Sequence, residues 1–151
     1  IFGALGYELD LTRLGDHGQE LVTRQVEFVK QHRQLLQFGT FWRLKSPFAG
    51  NETAWMTVSP DRQHAILADY RVLQEVNVGY RRLKLAGLDP DTLYRVTPLG
   101  SGMAVCGPVQ EAFGDELMHA GLVTSDGSCG ENKSDEGDFL SRLYLVDALP
   151  Q

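Results

Sequence analysis

The chain has 151 residues, 42% hydrophobic and 23% charged, with 14 Lys and Arg against 20 Asp and Glu for a formal net charge of −6. That balance argues against a nucleic-acid partner, because phosphate binding relies on clustered Lys and Arg. No stretch approaches the ~18 apolar residues of a membrane-spanning helix, so no membrane partner is expected, and two cysteines without CxxC spacing, Cys106 and Cys129, imply neither a disulfide framework nor a zinc site.

The opening segment, Ile1-Phe2-Gly3-Ala4-Leu5-Gly6-Tyr7-Glu8-Leu9-Asp10, has no Met and no polar lead-in, and reads as a buried strand running into a helix. A strand this apolar at the start is expected to be the last strand of a larger body. From Asp16 to Gly39 the signals are helical, with Asp16 and Gln19 spaced as a capping box and Gly39 placed to end the helix. Val22, Val26, Val29 and Leu36 centre an apolar stripe that Leu21, Phe28 and Leu35 widen to roughly half the circumference, so this helix is expected to be covered on more than one side.

After Gly39 the hydrophobic period changes to two. Phe41 to Leu44, Thr53 to Ser59, His64 to Leu73, Arg81 to Leu85, Thr92 to Thr97 and Phe139 to Val146 read as strands, separated by turn chemistry such as Ser46-Pro47, Gly50-Asn51, Pro60-Asp61 and Asp89-Pro90. Short strands at this spacing argue for an antiparallel sandwich. Ala54, Met56 and Val58 share one face, which puts Trp55 on the other and marks it for an interface. Gly114 to Gly121 fits a short helix, and residues 124 to 137 form a polar loop rich in Gly, Ser and Asp. Arg81, Arg82 and Lys84 alternate with Leu83 and Leu85, as on a solvated strand face.

The residues offer little chemistry of their own. Carboxylates adjoin at Glu8 and Asp10, Asp89 and Asp91, Asp115 and Glu116, and Asp135, Glu136 and Asp138, whereas a glycosidase pair is drawn from different elements to stand ~5 to 9 Å apart. His17, His32, His64 and His119 lack HxH or HExxH spacing, and the acidic loop lacks the ligand order of an EF-hand, so no metal is expected. Gly100-Ser101-Gly102 lacks the strand-to-helix context of a nucleophile elbow and reads as a turn. Trp42, Trp55, Tyr70 and Tyr94 are the aromatic residues from which a sugar platform would be built, although strand aromatics more often serve core or interface. Two sequons, at Asn51 and Asn132, match a pattern common by chance.

Five ordered segments carry a resemblance: FGALGYELDLT, QHRQLLQFGTFWRLKSPFAGNETAWMTVS, YRRLKLAGLDPDTLYRV, GDELMHAGL and GDFLSRLYLV. Together they resemble the C-terminal part of bacterial alpha-galactosidases of glycoside hydrolase family 36, over nearly the whole chain. The resemblance implies a parent enzyme with an N-terminal β domain, a central (β/α)8 barrel and a C-terminal antiparallel sandwich. On that reading residues 1–39 are the last strand and helix of the barrel, and residues 40–151 are the sandwich. The expected fold class is therefore mainly β, an antiparallel β-sandwich of Greek-key type preceded by one strand and one helix.

The family's retaining mechanism uses two aspartates, one as nucleophile and one as acid/base. The resemblance places them on barrel strands before the eighth, the nucleophile in a Lys-Trp-Asp motif. That motif does not occur here, nor does the Cys-Ser-Gly-Gly segment that shapes the galactose pocket in relatives. No catalytic residue, metal or cofactor is therefore expected in this chain. Barrel active sites form at the C-terminal ends of the strands, so Tyr7 and Glu8, with Asp10, are the only candidates to approach substrate. Leu140 stands where many relatives have a small polar residue, and the loop from Ser125 to Glu136 looks longer than in shorter relatives. The implied partners are the catalytic barrel of the parent chain, an alpha-galactoside bound through the parent, and further copies in a homo-oligomer; the implied location is cytoplasmic. A carbohydrate-binding or oligomerisation module is the alternative role.

Overall fold

The computed structural model describes residues 5–8, 10–74, 81–100, 102–124 and 138–150. Ile1, Phe2, Gly3, Ala4 and Leu9 of the expected opening strand lie outside them, and Leu5 to Glu8 carry no strand. A barrel strand is held by hydrogen bonds from a neighbour on each side, and among the described residues no strand pairs with this segment. Tyr7 instead donates its hydroxyl proton to Gln25 Oε1. Asp10 then starts a 3-10 turn, Leu11–Arg13, by accepting hydrogen bonds from the Thr12 N–H at 3.0 Å and the Thr12 hydroxyl at 2.6 Å.

The single helix expected from Asp16 to Gly39 is two, α1 (Asp16–Gln31) and α2 (Arg33–Phe38). At His32 the backbone leaves the helical region (φ −100°, ψ 11°). Its ring Nδ1 lies 2.9 Å from Phe28 O, the carbonyl that its own N–H also uses, a local side-chain bond that competes with the regular ladder. The capping box does not form. Gly15 is the N-cap without a side-chain bond, Asp16 is already helical, and the Gln19 amide donates to Leu14 O at 3.0 Å. Gly39 does end the second helix, in an extended conformation (φ −70°, ψ 161°) with its N–H on Leu35 O.

Among the described residues eight strands follow: β1 (Thr40–Lys45), β2 (Glu52–Val58), β3 (His64–Arg71), β4 (Arg82–Leu83), β5 (Leu93–Leu99), β6 (Gln110–Phe113), β7 (Leu122–Val123) and β8 (Leu140–Ala148), with helix α3 (Gly114–His119) between β6 and β7. Six form one antiparallel sheet in the order β1-β2-β3-β8-β5-β6, and β4 pairs with β7 in a second. The last strand returns between β3 and β5, the crossing link that makes the topology Greek-key-like rather than a plain meander. Pro98 is tolerated in β5 because β6 pairs only with Leu93 to Val96, so its missing N–H interrupts no ladder on that side.

Sequence alternation decides which side chains face which layer. On one face Ala54, Met56, Val58, Ala65, Leu67, Tyr94, Val96, Tyr144 and Val146 meet Leu83, Leu85, Leu88, Leu117 and Leu122 from the small sheet, its flanking loop and α3. Each such fully buried aliphatic side chain contributes about 1.5–3 kcal/mol, and together they hold the two unequal sheets as a sandwich. On the opposite face Ile66 and Leu99 pack with Phe28 of α1, flanked by Val29, Leu35, Leu36, Leu143 and Leu145. The helix pair thus forms a third layer. Phe28 is the only residue of α1 or α2 that is buried among the described side chains, so the wide apolar stripe expected to be covered on more than one side is largely half-buried here.

Candidate functional site

The structure separates the residues that sequence reasoning singled out. Tyr7 is half-buried and lines a groove of about 360 Å3 with Gln25, Val29, Tyr70 and Met103, whereas Glu8 is exposed. Asp10 serves the local turn and forms an ion pair with Arg13 at 3.3 Å. None of this brings two carboxylates to one reacting point. Asp89 caps its own turn by accepting from the Asp91 N–H at 3.0 Å, Asp115 and Glu116 begin α3, and Asp138 accepts from the Gln74 N–H at 2.6 Å. Asp135, Glu136 and Ser101 lie outside the described residues, while the Met103 N–H donates to Gly100 O at 2.9 Å.

A groove of about 830 Å3 lies between the helix pair and the sheet, with Phe28, Leu35, Phe38 and Leu145 along an apolar wall and His64, Asp61 and Asp147 on the polar side. Sequence reasoning did not mark Asp61 or Asp147, because they are 86 residues apart and only the pairing of β3 with β8 brings them together. Both are already engaged. Asp61 Oδ1 accepts from the Ser59 hydroxyl at 2.5 Å and the Gln63 N–H at 3.0 Å, and these bonds hold its carboxyl below the usual range. Such a group stays ionised and is poorly suited to act as a general acid. Asp147 Oδ1 lies 2.8 Å from His64 Nδ1. Among the described residues no cluster of three or more His, Cys, Asp or Glu could hold a metal.

The aromatic residues divide by face. Tyr94 is fully buried, and its hydroxyl donates to Arg62 O at 2.7 Å while accepting from the Asp89 N–H at 3.0 Å. Trp42 packs over Gly87, whose positive φ of 77° suits glycine and where a Cβ would stand 2.4 Å from the indole Nε1. Phe41, Trp55 and Tyr70 instead form a diagonal row across β1, β2 and β3 on the helix-side face, with ring centroids 6.5 and 5.0 Å apart. Phe41 is 47% exposed, Trp55 half-buried, and burial pushes the Tyr70 phenol up from its ordinary value. Trp55 is therefore on the outward face, as alternation predicts.

The arrangement is that of a packed scaffold with one partly uncovered side. A family model described as "Glycosyl hydrolase family 36 C-terminal domain" matches residues 52–146. The chain belongs to glycosyl hydrolase family 36. It is the C-terminal part: it is 42% identical over 149 residues to alpha-galactosidase AgaA of Geobacillus stearothermophilus, covering 99% of this chain but 18% of that protein. Alpha-galactosidase Mel36A of Lactobacillus acidophilus is 35% identical over 150 residues, again 99% of this chain and 18% of the relative. Among solved structures, the alpha-galactosidase from Lactobacillus brevis superposes with a TM-score of 0.83 at 37% identity, over 99% of this chain and 19% of that one. The family 36 domain thus spans under one fifth of the relatives it matches.

Proposed function

We propose that this chain is the non-catalytic supporting domain of an alpha-galactosidase, whose parent releases terminal alpha-galactosyl units from raffinose-type oligosaccharides by a retaining, two-aspartate mechanism. The observation that carries the reading is alignment over 99% of the chain to 18% of AgaA, combined with a site inventory in which each described carboxylate near a groove is occupied by a structural bond. Variants of AgaA have been crystallised with raffinose and with stachyose, which supports that substrate class for the parent. Residues 1–39 supply the last strand and helix of the catalytic barrel, and residues 40–151 the sandwich that buttresses it. The barrel covers the stripe of α1 that the sheet leaves half-buried. The location is cytoplasmic, and the parent assembles as a homo-oligomer.

The test is a chromogenic alpha-galactoside offered to the purified chain. No release is expected, and turnover that survives a mock-purified control would overturn the reading. The row of Phe41, Trp55 and Tyr70 favours one rival, a carbohydrate-binding module stacking a sugar on these rings. Raffinose titrated against tryptophan fluorescence separates the two: a saturable change belongs to a binding module, a flat response to a scaffold.

A further inference from the structure

The groove of about 830 Å3 between the helix pair and the sheet joins an apolar wall to an acidic rim. Phe28 and Leu35 from the helices and Leu99, Met103 and Leu145 from the other side form the wall, together with Phe38, which is 67% exposed. Asp61 and Asp147 supply the charge of the rim, and among the described residues no Lys or Arg lines the groove. Arg95 lies opposite Asp147 in the register, but its guanidinium is committed to Glu111 at 2.9 and 2.8 Å.

Each carboxylate has one oxygen in use. Asp61 Oδ1 accepts from Ser59 and Gln63, and Asp147 Oδ1 meets His64 Nδ1, whereas among the described residues no hydrogen bond or ion pair reaches Oδ2 of either. A cation entering the groove therefore meets carboxylate oxygens and no competing Lys or Arg. The wall calls for apolar cover as well, because contiguous apolar surface rimmed by polar groups marks an interaction site. These residues cover 18% of AgaA, which leaves more than four fifths of such a parent outside them to supply that cover.

We propose that this groove seats a segment of the parent polypeptide, from outside these 151 residues, that carries a Lys or Arg among apolar side chains. The cationic stem lies along Leu35 and Phe38 while its head reaches the Oδ2 atoms of Asp61 and Asp147, as long cationic side chains cover apolar surface and keep the charge among polar groups. The Phe38 ring beside the cation adds to the attraction. Complementary charge then fixes which segment seats there and in what register. This seat presupposes the supporting-domain reading and names the chemistry of one of its contacts.

Hydroxyl-radical footprinting, resolved to single residues by mass spectrometry, is applied to the 151-residue chain and to a full-length family 36 parent that contains it. His119 on α3, across the sandwich and with its side chain 82% exposed, is the reference. Oxidation of Phe38 and His64 is expected to fall in the parent relative to the chain. Asp61→Asn combined with Asp147→Asn keeps the oxygen that Ser59, Gln63 and His64 use but removes the charge, so it returns Phe38 of the parent to the level in the chain. Phe38 as reactive in the native parent as in the chain overturns the proposal whether or not the variant folds, and so does protection that survives the double substitution. Protection that grows in the chain alone with its concentration gives the groove to a second copy and overturns it as well. Leu21 and Val22 on the α1 stripe separate this failure from that of the supporting-domain reading. If they are protected in the parent while Phe38 stays reactive, only the seat is lost; if all three stay reactive, the barrel contact itself is absent.

Discussion

Gly39 closes directly on Thr57: a Cβ built on the glycine would lie 2.4 Å from Thr57 Cγ2, and also 2.6 Å from Leu35 O and 2.8 Å from Val58 O. The end of the helix pair is thus pressed against β2 with no room for a methyl group, and two of the three obstructions are backbone. The φ of −70° is open to any residue, so the requirement for glycine is close approach and not handedness. Gly39→Ala is expected to lower stability by about 1–3 kcal/mol, the usual cost of overpacking. Urea unfolding at unchanged m-value would show it; a midpoint equal to the native one means the helix pair does not dock as described.

Tyr94 offers a second check, at the opposite layer. Its hydroxyl serves both as donor to Arg62 O and acceptor from the Asp89 N–H, and so ties two turns across the core. Phenylalanine fills the same volume but leaves both backbone groups short of a partner. Tyr94→Phe should therefore cost about 1–3 kcal/mol, read as a lowered denaturant midpoint, with little change in far-ultraviolet circular dichroism. An unaltered midpoint indicates that water already satisfies those groups.

Much of this architecture was readable from residues. Period-two alternation located β1 to β5 and β8 within one to two residues, and put Trp55 on the correct face, because side-chain direction in a strand is fixed by parity. β6 and β7 were missed: Leu122–Val123 is too short for any periodicity, and Gln110–Phe113 acquires its strand from pairing with β5. The break at His32 was equally hidden, since it rests on a ring bonding back to Phe28 O inside an unbroken apolar pattern. Two charged pairings, Asp61 near Asp147 and Asp69 opposite Arg142, are invisible for another reason. Their members are distant in sequence and meet only through register, which no single segment encodes.

Glu52, opposite Arg71, and Asp69, opposite Arg142, fix the sign of a pH effect. Asp69 has its carboxyl raised above 3.8, with burial the leading cause, so the folded state binds this proton more tightly than the unfolded one. Its effect on stability is most favourable at low pH and is lost as pH rises from 3.8 through the raised folded value. Glu52 runs the other way. Burial acts to raise it, but the Lys45 hydrogen bond and the charges of Lys45, Arg81 and Arg71 prevail, so its contribution is present above 4.5 and lost as pH falls through the lowered folded value. Asp69→Asn, neutral at every pH, should gain in stability relative to the native chain as pH rises from 3 to 7. Glu52→Gln should lose over the same interval. Parallel stability profiles for the two variants would contradict the opposed shifts.

Phe28 is the last and most direct probe of how the helix pair belongs to the sheet. It is 7% exposed and packs with Ile66 and Leu99, while the remaining apolar residues of α1 are half-buried. Because Phe28 is the one buried anchor of the helix pair among the described side chains, Phe28→Ala should cost about 3–5 kcal/mol if helix and sheet unfold as one unit. If instead the helix can leave on its own, the variant should lose amide protection across α1 and α2 while β3 and β8 exchange as before, because local opening exposes only the weakly held layer. Hydrogen exchange on native and variant chains distinguishes these outcomes. The proposed barrel contact predicts the second: a helix whose stripe is meant for a further neighbour has Phe28 as its one buried anchor among the described side chains, and gains protection when the same 151 residues are joined to the rest of a family 36 protein.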